Sequence, residues 1–287
     1  MKVGIVGLGL IGGSLAKGYK RAGVEVFGLD KDILTQEYAQ LAGAIDGSLD
    51  DETVKKCDLI LIAITPRETV EWFKKKSDII SPETVVIDCC GTKRFVCREC
   101  AAIAEEKGIV YMGGHPMAGK EKGGFKRSSE DLFRNAPFIL VPENTDDINL
   151  LMKIKGMIML AGFGRVGVTT ACEHDRVIAF TSQMPHILSN AFIKSKTALI
   201  DSQIISAGSY QDFTRVAYLD EKMWSGLFLE NRDNLLDELR GFMRELSKYE
   251  KAMEDNDREE LENLLGEGKR AKEEVLEKCG PAQINGE

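Results

Sequence analysis

Residues 2–14 read KVGIVGLGLIGGS, and this stretch decides the fold. KVGIV (2–6) is short, rich in β-branched residues and bounded by glycine, so it reads as a buried strand. Gly7-Leu8-Gly9-Leu10-Ile11-Gly12 follows as G-x-G-x-x-G and opens a helix expected over about residues 11–22. Each glycine has a physical task there. Gly7 permits the tight turn, Gly9 lets backbone approach a pyrophosphate, and Gly12 lets helix and strand pack closely. The helix start supplies N–H donors and the positive end of its dipole. The stretch loosely mimics a secretory signal, but five glycines within ten residues spoil an apolar helical segment.

Working outward, VEVFGLD (24–30) is a second strand, and Asp30 closes it 18 residues beyond Gly12. An acid there accepts hydrogen bonds from a ribose 2′-OH and repels a 2′-phosphate, which favours NAD over NADP. Further strands are expected at 58–64, 84–90 and 108–114, with helices near 32–42, 66–76 and 93–107. Two later strands, 137–142 and 163–169, flank a helix at about 146–161. Strands alternating with helices predict an α/β, Rossmann-type doubly wound, mostly parallel sheet. After Thr169 the pattern turns helical, with Pro185 the one proline before residue 280. An all-α C-terminal domain is expected, giving an NAD-binding domain over 1–169 and a helical substrate and dimerisation domain over 170–287. In the charged stretch 230–278, Leu235, Leu236, Leu239, Phe242, Met243 and Leu246 keep a helical stripe expected to pack on one face. The tail 280–287 is expected to fray.

Composition sets outer limits. The 287 residues suit about two domains at roughly 150 residues each. With 38 basic and 46 acidic residues the net charge is −8, which disfavours general nucleic-acid binding. No apolar run reaches the roughly 18 residues of a membrane span. Seven cysteines, an odd number, in a chain too large to need disulfides point to a reducing cytoplasm. Cys89, Cys90, Cys97 and Cys100 crowd within 12 residues, yet their spacing is not a common zinc pattern. Buried thiols are the simpler account, and no metal is expected.

Three histidines occur, at 115, 174 and 186. His115, in GGHPMAG (113–119), follows the fifth strand. Ligands of open α/β sheets bind beyond the carboxyl ends of the strands, so this loop faces the nicotinamide in outline. A histidine there suits a general base, or alternatively a loop residue bonding backbone. His186 lies in a helix with Pro185 and reads as a packed polar group. His174 beside Asp175 reads as helix-start chemistry. Arg215, in an otherwise apolar helical region, needs an anion, either internal or a substrate carboxylate.

In order, GLGLIGGS (7–14), DCCGTK (88–93), GGHPMAGKEKGG (113–124), HDRVIAFTSQMPH (174–186) and QDFTRVAYLDEKMWSGLFLEN (211–231) resemble the prephenate dehydrogenase family. The joint order of HPMAG, SxxPH and DFTR is far more specific than any one motif, and the resemblance covers about four-fifths of the chain. It implies a Rossmann-type domain followed by a helical dimerisation domain, hence a homodimer. The implied reaction is NAD-dependent oxidative decarboxylation of prephenate to 4-hydroxyphenylpyruvate and CO2 in tyrosine biosynthesis. His115 is then the acceptor for the ring hydroxyl and Arg215 holds the ring carboxylate. His186 and Ser182 match further pocket residues, Trp224 a pocket wall and Glu121 a gating acid. Gly91 stands where many relatives carry a serine that bonds the histidine, so Thr92, backbone or water is left to orient it. Gln211 stands where relatives often have lysine or arginine, which leaves arogenate open as substrate. A non-catalytic NAD sensor is the alternative from another class, and it needs neither His115 nor Arg215.

Overall fold

The computed structural model describes residues 1–143, 147–199 and 208–279. They fall into two compact units, Met1–Asn234 and a second beginning at Leu235. The first unit is built on an eight-stranded sheet: β1 Lys2–Val6, β2 Glu25–Leu29, β3 Gly47–Ser48, β4 Leu59–Ile62, β5 Val85–Asp88, β6 Val110–Pro116, β7 Pro137–Val141 and β8 Arg165–Val168. Their order is β3-β2-β1-β4-β5-β6-β7-β8. All pairings are parallel except β6 with β7, where His115 lies opposite Ile139 in an antiparallel ladder. The α/β, mostly parallel sheet expected from the sequence is the one observed. The short strand β3 and the one-turn helix α3 (Asp51–Val54) carry too little periodicity to be anticipated.

Helices α1 (Leu10–Arg21), α2 (Ile33–Leu41), α4 (Pro66–Lys76), α5 (Arg94–Lys107) and α6 (Ile148–Met159) connect the strands. Strands β4 (LILI) and β5 (VVID) are buried along their whole length, as a parallel sheet covered on both faces requires. One face packs Leu15, Tyr19, Phe133, Phe138, Ile154 and Ile158; the other packs Ile60, Ile62, Phe73, Val96, Cys97 and Cys100. Cys90, Cys97 and Cys100 are therefore core residues, and burial pushes the Cys97 thiol up to about 12.

After β8 every regular element among the described residues is helical. The change falls at the residues expected, but the division by packing comes later, because the helices between residues 171 and 231 belong to the first unit. Asp175 ties them there by accepting the Lys93 and Arg94 backbone N–H groups at 2.7 and 2.9 Å. Helix α7 (Ala171–Ile178) runs through a π-helical turn at Ala179–Gln183 into α8 (Met184–Phe192). Such turns mark places where a side chain is re-aimed within a continuous helix.

The second unit is a helical hairpin made from most of the helix Arg232–Glu254 and the helix Arg258–Cys279. Asn256 turns it at φ +52°, and Tyr249 donates its hydroxyl to the Leu264 carbonyl at 3.3 Å. The apolar stripe does not pack throughout: Met243 and Leu246 are exposed. The tail 280–287, expected to fray, lies outside the described residues.

Candidate active site

The nucleotide cradle is assembled from β1, α1 and β2. Gly7 has φ +86°, and a β-carbon there would stand 2.6 Å from the Ala63 carbonyl. At Gly12 a β-carbon would reach 1.7 Å from the Gly7 carbonyl oxygen, so helix and turn touch through backbone alone. Gly9 is the opposite case: a β-carbon there meets nothing within 4 Å, so its face is open to a ligand. Gly9 is also the N-cap of α1 and no side chain caps it, leaving the first N–H groups of the helix for an anion. Asp30, just past β2, accepts the Leu8 N–H at 2.7 Å and the Asp32 N–H at 3.0 Å. Its carboxylate is thus pinned over the glycine turn with lone pairs to spare for ribose hydroxyls. The turn Gly7-Leu8-Gly9-Leu10-Ile11-Gly12 and Asp30 fit a dinucleotide.

His115 lies near the end of β6, partly buried. Its Nδ1 is 2.8 Å from Nε2 of His174, whose Nδ1 is 2.8 Å from Oδ1 of Asp175. Burial first, then the neighbouring His174 and Lys93, hold the His115 imidazole neutral well below the ordinary histidine range. Burial alone would raise the Asp175 carboxyl. The His174 hydrogen bond and the Arg94 and Lys93 N–H groups outweigh it and keep that acid below the usual range. Beneath the strand end, Lys93 and Asp88 form a fully buried ion pair, and Asp88 also accepts the Tyr111 hydroxyl at 2.7 Å.

Thr92 does not orient His115. Its hydroxyl donates to Glu230 at 2.7 Å, and it is His174 that meets Nδ1 of His115. Burial raises the Glu230 carboxyl above its ordinary range, with Thr92 and Arg67 offsetting part of the effect. The sequence places His174 and Asp175 only at a helix start and singles out no role for Glu230. The signal available was a histidine–aspartate pair near the start of a helix, which helix-start chemistry explains equally well.

The remaining expected residues form two further groups. In the first, His186 stacks on Trp224 with ring centroids 4.0 Å apart, and its Nδ1 donates to the Ser182 carbonyl at 2.7 Å. Ser182 is thereby placed through its backbone, one turn before His186. In the second, Arg215 stands 3.8 Å from Glu121, both side chains exposed, in a pocket of about 520 Å3. Gly119, Lys120, Lys122 and Arg127 complete its lining. Four cations and one carboxylate make a surface suited to an anionic ligand.

Comparison with known proteins bears on what the site serves. The family model described as "Prephenate dehydrogenase, nucleotide-binding domain" matches residues 15–165, and "Prephenate dehydrogenase, dimerization domain" matches 170–267. The chain belongs to the prephenate dehydrogenase family. A prephenate dehydrogenase of Bacillus subtilis is 30% identical over 269 residues, 90% of this chain and 71% of that one. The structure of the Aquifex aeolicus prephenate dehydrogenase with hydroxyphenyl propionate and NAD+ matches with a TM-score of 0.82 at 29% identity, over 96% of this chain and 98% of that one. A Synechocystis arogenate dehydrogenase matches with a TM-score of 0.78 at 25% identity, over 96% of this chain and all of that one. The chain is an NAD-dependent oxidoreductase of this family, whose members act in tyrosine biosynthesis. No helix among the described residues is long and apolar enough to cross a membrane.

Proposed function

We propose that this chain oxidises and decarboxylates prephenate to 4-hydroxyphenylpyruvate and CO2. One observation carries the reading: His115, its Nδ1 engaged by His174, stands on the strand that runs into the loop lining a cationic pocket with Arg215. NAD, held by the Gly7–Gly12 turn and Asp30, supplies the hydride acceptor. As hydride leaves the ring carbon bearing the hydroxyl, that oxygen's proton turns acidic and His115 Nε2 accepts its hydrogen bond. The bond to the ring carboxylate breaks, its electron pair enters the ring, CO2 departs and the ring oxygen ends as a phenol. Aromatisation drives the step. The proton stays with or returns to that oxygen, so His115 acts by accepting a hydrogen bond at the moment charge develops.

Arg215 pairs with the ring carboxylate in this reading, displacing Glu121, whose side chain acts as a gate. His186, anchored on Ser182, offers Nε2 to the substrate, and Trp224 stacks behind it as the pocket wall. The matched dimerisation domain and the exposed Met243, Leu246 and Met253 of the second unit support a homodimer through the helical part. Cys57, Cys90, Cys97 and Cys100 are free and buried, which suits a cytoplasmic setting.

A second reading, preference for arogenate, is favoured by the uncharged Gln211 beside Asp212. The test is the appearance of reduced nicotinamide on mixing the protein with prephenate or arogenate, each with NAD or NADP. Turnover of prephenate with NAD is expected. Faster turnover of arogenate would move the substrate assignment, and silence in all four mixtures with NAD still bound would leave a nucleotide-binding protein without this reaction.

A further inference from the structure

His115, His174 and Asp175 form one hydrogen-bonded line, Nδ1 to Nε2 at 2.8 Å and Nδ1 to Oδ1 at 2.8 Å. Counting protons along it places them. Asp175 accepts on both oxygens, taking the Lys93 N–H on one and the Arg94 N–H on the other, so the His174 nitrogen facing it is a donor. Two imidazole nitrogens 2.8 Å apart hold one proton between them: two would collide, and none would set lone pair against lone pair. A neutral pair of rings carries two protons, and both are now placed. His174 already has its own proton facing Asp175, so the bridging proton sits on Nδ1 of His115 and the fourth nitrogen, Nε2 of His115, is bare.

We propose that His174 and Asp175 are positioning residues for the dehydrogenase reaction, holding His115 as the Nδ1–H tautomer so that Nε2 can only accept from the ring hydroxyl. The inference rests on the role given to His115 above. It also answers the question left by Gly91, which has no hydroxyl to offer. A β-carbon there would meet Leu227 methyls at 3.5 and 3.6 Å and no part of His115.

The line is itself held from behind. His174 and Asp175 are 4% and 1% exposed, and Thr170 caps their helix by accepting the Glu173 N–H. Asn231 donates to the Asp175 carbonyl at 2.7 Å, and Arg94 reaches the Asp175 carboxylate as well as Asp233. Other charges around the pair are already matched, Lys93 by Asp88 and Arg94 by its two acids. A carboxylate fixing the tautomer of a catalytic imidazole is an established device when it contacts the ring directly. Here a second imidazole stands between carboxylate and base.

The chain's three histidines make the test direct, since ring-nitrogen 1H–15N spectra of the intact protein contain only three imidazoles. Without substrate, His115 should show a protonated Nδ1 and a bare Nε2. A proton on Nε2 in the neutral wild type overturns the proposal whatever the substrate proves to be. His174→Leu removes the acceptor. It should release the tautomer and lower kcat by about 100-fold, with the KM for NAD within about twofold of wild type. His174→Gln still offers an acceptor oxygen where Nε2 stood, so it should keep the tautomer and most of the rate, within about tenfold. A His174→Leu enzyme with wild-type tautomer and wild-type kcat sinks the idea. Should that variant fail to fold, the wild-type spectrum together with His174→Gln decides alone.

Discussion

The nucleotide cradle and the histidine site both sit at the carboxyl ends of strands in one sheet, yet they are built in opposite ways. The cradle uses residues 7–12 and one acid, Asp30, a strand further on, and works through backbone geometry. The histidine site joins residues 59 apart, with Asp175 reaching back 82 residues to Lys93, and works through side-chain proton order. The local device tolerates no β-carbon at Gly7 or Gly12, where backbone already fills the space. The long-range device depends instead on side chains from distant segments meeting in one hydrogen-bonded line.

Four substitutions and one titration sharpen that contrast, starting with the largest effect. His115→Asn should lower kcat by about 10²- to 10⁴-fold, with NAD affinity little changed. Survival of activity within about threefold, less than 1 kcal/mol, would remove His115 from the chemistry. Arg215→Gln should raise the KM for the ring substrate by about 2–5 kcal/mol, the loss expected for a charge pair desolvated on binding. Its own stability effect should be small, because the side chain is 65% exposed and its contact with Glu121 is long. An unchanged KM would place the substrate carboxylate elsewhere.

On the cradle side the signature is different. Gly12→Ala puts a β-carbon 1.7 Å from the Gly7 carbonyl, so backbone must shift. The expected cost is about 1–3 kcal/mol, read as lower Tm together with weaker NAD binding. Equal Tm and Kd would mean that the turn is softer than its geometry shows. Asp30→Asn keeps hydrogen bonding but drops the charge. NAD affinity should fall by about tenfold, near 1.4 kcal/mol, and discrimination against NADP should shrink; unchanged selectivity would free Asp30 of that role.

The smallest effect is a pH dependence. The sequence alone leads one to expect a rate rising through the ordinary histidine range. Burial and the flanking His174 and Lys93 lower the His115 pKa, so the base stays neutral down to more acidic pH. The profile of kcat/KM should be flat above about 6.5 and fall only below it. Stability follows the same sign. Below about 6.5 the unfolded chain binds a proton that the folded chain refuses, so stability falls as pH drops through that window toward the folded value. His115→Asn should flatten the slope of Tm against pH there. An equally steep slope in the variant would assign it to other groups.

Legibility in the sequence followed the same divide. Strand and helix positions were readable because apolar runs, β-branched residues and the G-x-G-x-x-G spacing are local signals, and the observed elements fall within a few residues of those expected. Arg215 stands out by its apolar surroundings, and the resemblance adds His186, Ser182, Trp224 and Glu121; the structure gathers these into a stacked pair anchored on the Ser182 carbonyl and a cationic pocket. Thr92, one of three candidates left open for orienting His115, meets another group. Its hydroxyl turns to Glu230, 138 residues away, and no local pattern announces a contact of that span. His174 and Asp175 read as helix-start residues and do lie near the start of α7, but spacing along the chain gives no sign that His174 meets His115.

By itself the sequence determined the doubly wound sheet, the glycine turn that opens α1 with Asp30 just past the second strand, and the shift to helices after β8. Each depends on residues within a turn or two of one another, where sterics and periodicity act without help from the rest of the chain. Only the tertiary structure decided which groups meet His115, and where the helices after β8 belong. Both are settled by the buried Asp175 accepting N–H groups from the β5–α5 junction. A hydrogen bond between distant segments depends on final coordinates to a fraction of an ångström, and spacing along the chain does not carry that precision.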